Sequence, residues 1–87
     1  EMHKIRTVRC ANYTANLGET FRFALLRNDG RPRLLVQTGT VQRIHRAGGK
    51  MAIDMRIPAL NCTHSYFASE IYYRGLPEED KFHACDL

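Results

Sequence analysis

The sequence predicts an α+β domain in which one N-terminal α-helix packs on an antiparallel β-sheet. Three observations carry that prediction. Leu17, Phe21, Ala24 and Leu25 recur at the spacing of one helix face. Met51, Ile53, Met55 and Ile57 alternate with Ala52, Asp54 and Arg56, as in a half-buried strand. Turn residues separate the two patterns, and one helix followed by strands is the α+β order.

Taken in order, Lys4 to Arg9 reads as a first strand, with Ile5 and Val8 among basic residues. Residues 15–27 read as the helix. Thr14 is its expected cap, and Asn28-Asp29-Gly30 followed by Pro32 is its stop. Gly18 weighs against it, since glycine inside a helix costs about 1 kcal/mol relative to alanine. Leu34-Leu35-Val36 forms a short apolar run, Thr40 to His45 alternates imperfectly around Val41 and Ile44, and Ala47-Gly48-Gly49-Lys50 is a hairpin turn. The strand from Met51 ends at Pro58. A loop holding Cys62 and His64 leads to a strand near Ser69 to Arg74. A turn-rich acidic stretch, Gly75 to Asp80, precedes a last short strand from Phe82 to Cys85.

Eighty-seven residues allow one domain, 1–87, with one modest core. The composition, 44% apolar and 25% charged, is that of a globular chain. No apolar run approaches the roughly 20 residues that span a bilayer, and no membrane role is expected. Beginning at Glu1, the chain is expected to be a mature or trimmed form. Net charge is +4 and unevenly placed: residues 1–50 hold ten Lys/Arg against three acids, residues 51–87 three against six. Arg27, Arg31, Arg33, Arg43, Arg46 and Lys50 form a basic set suited to phosphates, to an acidic protein surface, or to a solvated face. Three cysteines leave either one unpaired thiol or three reduced ones. The sequons Asn12-Tyr13-Thr14 and Asn61-Cys62-Thr63 point to a secreted protein.

The residues do not suggest an enzyme, a metal site or a cofactor. His3, His45, His64 and His83 are scattered, and Cys62-Thr63-His64 is the one close Cys/His combination, whereas zinc needs three or four ligands. Ribonuclease chemistry needs two acid–base groups and a cation on one concave face, and no histidine or glutamate pair is evident.

The order of motifs resembles the small guanyl-specific fungal ribonucleases and, more closely, the ribonuclease-like secreted effectors of powdery mildew fungi. The residues that carry the resemblance are Val8-Arg9-Cys10 before the expected helix, Arg31-Pro32-Arg33, Arg56-Ile57-Pro58-Ala59-Leu60, Ser69-Glu70-Ile71-Tyr72-Tyr73, and Phe82-His83-Ala84-Cys85. It implies a disulfide between Cys10 and Cys85, closing nearly the whole chain and worth roughly 4.5 kcal/mol in the chain-entropy model, with Cys62 left free. It also places Arg31, Arg33 and Arg56 where the enzymes carry tyrosine, histidine and glutamate, and Glu70 where they carry arginine. An arginine cannot serve as a general base.

The resemblance therefore implies a pseudo-ribonuclease with no catalytic residues, whose former catalytic face is held by an Arg56–Glu70 ion pair. Its candidate binding surface comprises Arg27, Arg31, Arg33, Arg43, Arg46, Arg56, Glu70 and Tyr72. The implied role is that of a monomeric secreted avirulence or virulence effector, delivered into the host cell. Its implied partner is a host plant protein, an intracellular immune receptor among the candidates, with non-specific RNA binding as a second class. Two alternatives stand beside it. One is a β-sandwich fungal effector lacking the helix and bridged by Cys10–Cys62. The other is an active small ribonuclease using His45, His64 or His83.

Overall fold

Strand alternation, not helical spacing, governs the first half of the chain. The computed structural model describes residues 4–77. It contains β1 (Thr7–Arg9), β2 (Thr14–Asn16), β3 (Thr20–Leu25), β4 (Gln37–Ala47), β5 (Lys50–Ile57), β6 (Cys62–Phe67) and β7 (Ile71–Gly75), with 3-10 turns at Pro58–Leu60 and Ala68–Glu70. Strands β1 and β2 pair as a separate antiparallel ribbon; the other five form one sheet in the order β6-β5-β4-β3-β7, antiparallel throughout.

The expected helix-on-sheet arrangement is thus corrected: among the described residues no helix exceeds a three-residue 3-10 turn. The physical reason lies in Phe23. A helix with Phe21 on its buried face would turn Phe23 roughly 200° away. In β3 both rings point the same way and are wholly buried, while Thr20 and Arg22 face outward. Gly18, at φ +87°, takes a left-handed conformation that no right-handed helix contains.

Later elements follow the sequence more closely. Gly48 and Gly49 at φ +60° and +82° make the two-residue hairpin between β4 and β5, a turn that needs positive φ at both positions. β5 is as expected, with Ile53, Met55 and Ile57 buried, and it stops at Pro58. β7 begins two residues later than expected. Leu34 and Leu35 form no strand and are largely exposed. Cys62 and His64 belong to β6, which the sequence presents as a loop.

One side of the five-stranded sheet is the core. Phe21, Phe23, Val41, Ile44, Ile53, Met55, Ile57 and Ile71 pack there with Val8, Cys10 and Ala15 from the β1–β2 ribbon. Gly39 permits this: a Cβ at that position would lie 3.0 Å from Met55 Cε and 3.1 Å from Phe23 Cε1. Cys10 is a free thiol inside this core, so packing and not the expected disulfide closes the described fold. Cys85, like Glu78 to Asp80 and the expected strand from Phe82, lies outside the described residues. The alternative Cys10–Cys62 bridge is likewise not formed.

Candidate functional site

The opposite side of the sheet is polar, and its register arranges the polar groups in rows. Thr20, Thr40, Arg56 and Thr63 face one another in turn across β3, β4, β5 and β6. The Thr20 and Thr40 hydroxyls share a hydrogen bond of 2.7 Å. Arg56 Nη2 donates to Asn61 Oδ1 at 2.5 Å, and Thr63 donates to Gln42 Oε1 at 3.2 Å. Asn61 reaches Arg56 because it follows the Pro58–Leu60 turn in a left-handed conformation, φ 52°, that asparagine tolerates. Arg22, opposite Thr38, extends the same face toward β7.

The next row is Arg43, Asp54 and Ser65. Asp54 Oδ1 accepts hydrogen bonds from the Ser65 hydroxyl at 2.5 Å and from His45 Nε2 at 2.9 Å; Arg43 Nη1 lies 3.9 Å from its other oxygen. The Ser65 bond, aided by His45 and Arg43 and opposed by burial, holds the Asp54 carboxyl below its ordinary 3.8. The order of these three groups matters. In a nucleophilic triad the histidine stands between serine and aspartate and takes the serine proton. Here aspartate stands between the other two, so Ser65 donates to a carboxylate and His45 gains no access to its proton. A shallow pocket of about 290 Å³ beside them is lined by His45, Ala52, Ser65, Phe67 and Glu70 among others.

The sequence-predicted surface is not one patch. Arg27 pairs with Asp29 at 3.0 Å, whose Oδ1 also accepts the Arg31 backbone N–H; Arg27, Asn28, Asp29 and Arg33 line their own depression in the β3–β4 loop. Arg43 and Arg46 meet at a different, larger pocket with Lys4. Tyr72 lies on β7, with the Arg74 guanidinium carbon 5.7 Å from its ring centre. The expected Arg56–Glu70 pair is not made: Arg56 bonds to an amide, and Glu70 sits in the Ala68–Glu70 turn beside His45 and Phe67.

Sequence reasoning missed the His45–Asp54–Ser65 cluster. Alternation put Asp54 on the polar side of β5, but with 62–67 read as a loop nothing set Ser65 beside it. Among the described residues no group of three His, Cys, Asp or Glu side chains converges as metal ligands would. Comparison with family models, with characterised proteins and with solved structures yields no match to this chain.

Proposed function

We propose that the protein is a non-catalytic binding module of the secreted-effector class, which engages a host component through its cation-bearing surface. One observation carries the reading. Residues 4–77 hold twelve Lys/Arg against four Asp/Glu, an excess of eight, while the remaining residues hold one against five. None of the twelve cations is buried. Of the four acids, Asp29 and Asp54 are already occupied by Arg27 and by His45 with Ser65, and Glu19 accepts bonds from Tyr13 and Asn16. Such a surface attracts a partner of opposite sign and raises its encounter rate.

The secreted, plant-directed setting comes from the motif order and the two sequons. Of the two effector readings, the one without a helix accords with β2 at Thr14–Asn16 and β3 at Thr20–Leu25, though not in its Cys10–Cys62 bridge. The test pairs two measurements on the purified chain. Incubation with a fluorogenic RNA should give no hydrolysis. Capture from plant extract should retain a discrete component that the charge reversals R43E and R46E release. RNA cleavage by the wild-type chain would overturn the reading.

A further inference from the structure

Beyond Val41 strand β4 loses its neighbour. β3 pairs with β4 only from Gln37 to Thr40, and the last main-chain bonds on that border are Gly18 N–H to Val41 O at 2.8 Å and Val41 N–H to Glu19 O at 2.9 Å. β4 continues to Ala47, paired with β5 alone. Among the described residues, the border of Gln42–Ala47 facing away from β5 has no main-chain partner. In an antiparallel ladder about half of a strand's N–H and C=O groups point to such a border.

This border is also the wall of a pocket of about 530 Å³, whose opposite wall is Lys4, Ile5 and Leu17. Leu17 N–H bonds to Arg6 O at 2.7 Å, which ties that wall together. Ile5, Leu17 and Ile44 provide apolar lining, whereas Lys4, Arg43 and Arg46 provide cations, and no Asp or Glu lines the pocket. A register shift between Val41 and Arg43 interrupts the ladder where the slot begins. Bulges and edge cations are the devices by which sheets deter pairing with a second copy of themselves.

From these three features, an open strand border, an apolar lining and cations with no acid among the lining residues, we infer that the slot takes an extended acidic peptide from a partner protein. The peptide adds as a strand beside Gln42–Ala47. Alternate apolar side chains rest on Ile5, Leu17 and Ile44, and its carboxylates meet Lys4, Arg43 and Arg46. The inference rests on the binding-module reading and names the partner's chemistry.

The probes are the synthetic peptides Ac-Glu-Val-Glu-Val-Glu-Val-NH2 and its lysine counterpart, titrated at low salt into the isotope-labelled full chain. The glutamate peptide should shift the amide resonances of residues 42–47 and of Ile5 and Leu17, leaving β6 unmoved. R46E should weaken it about tenfold and favour the lysine peptide instead. Equal binding of both peptides by the wild type, or shifts confined to β6, would overturn the proposal. So would concentration-dependent shifts at 42–47 without peptide, which would assign the slot to a second copy. RNA cleavage would sink the binding-module reading without touching this map, and an unshifted slot would sink only the slot.

Discussion

The two lateral borders of the main sheet on the β3 side are treated in opposite ways. Along β7 the border is closed: Ala11 N–H donates to Ile71 O at 3.0 Å, and the Asn12 amide grips the Tyr73 backbone twice, accepting its N–H at 2.7 Å and donating to its carbonyl at 3.2 Å. Tyr13 then stacks on Tyr73, centroids 3.8 Å apart and 10° from parallel, with Phe21 edge-on beneath. Along β4 beyond Val41 no main-chain group of the described residues performs that service, and the one side-chain contact to the backbone there is His45 Nδ1, 3.4 Å from its neighbour's carbonyl, Arg46 O. A side-chain amide can stand in for a missing strand, so the closed border carries stability while the open one stays free to bind.

The largest expected effect probes the packing under the closed border. Phe21→Ala should cost about 3–5 kcal/mol, because a wholly buried ring leaves a cavity among Tyr13, Phe23 and Tyr73. Leu17→Ala, on the half-buried wall of the open slot, should cost only about 1–2 kcal/mol. Urea unfolding of both variants checks this, and equal losses would erase the distinction between the borders.

Gly39→Ala sharpens the comparison between them, because Gly39 sits where β3 and β4 are still paired. The new methyl group would crowd Met55 and Phe23, and the expected loss is about 1–3 kcal/mol. A neutral result in the same urea assay would mean that the sheet can open there as easily as beyond Val41.

Asn12→Ala comes next. Losing both bonds to Tyr73 should cost about 1–2 kcal/mol and speed amide exchange at Tyr73, while Ser65→Ala on the exposed polar face should cost under about 1 kcal/mol. Hydrogen exchange at Tyr73 that is unchanged in Asn12→Ala would show that the amide does not close the border.

The smallest effects separate the regions by pH. Tyr13 is pushed up to about 12, chiefly by its hydrogen bond to Glu19, and burial pushes the neighbouring Cys10 thiol up to about 11. Both stay protonated in the fold when the unfolded chain would ionise. Their contributions are complete below about pH 9–10 and fade as pH rises toward 11–12. Asp54 has the opposite sign: its lowered value gives a contribution present above its ordinary 3.8 and lost as pH falls below it. Unfolding midpoints measured across pH should therefore show an alkaline limb reduced by Tyr13→Phe, with the Cys10 share remaining, and an acid limb reduced by Asp54→Asn. Limbs left unchanged by these substitutions would detach the two regions from their titrating groups.

Part of this was written in local sequence. The alternation of Met51 to Ile57, the paired glycines at 48–49 and the stop at Pro58 are short-range signals, and the β4–β5 hairpin follows from them alone. The basic excess, too, is legible in the residues, as is the placement of Asp54 on a polar strand face. Residues 14–25 were not legible, since Leu17, Phe21, Ala24 and Leu25 satisfy a helical period as well as Phe21 and Phe23 satisfy a strand period. The choice falls to whichever surface receives both rings, and that surface is built by β4, β5 and β7.

Strand β6 was hidden for a related reason. Cys62-Thr63-His64-Ser65-Tyr66-Phe67 buries none of its residues and so carries little apolar alternation; pairing with β5 makes it a strand. The sequence alone thus determined charge, the hairpin and the polar character of one sheet face. Tertiary structure alone decided which arginines meet, which acid sits between His45 and Ser65, and which strand border stays open, because each depends on the register between strands distant in the chain.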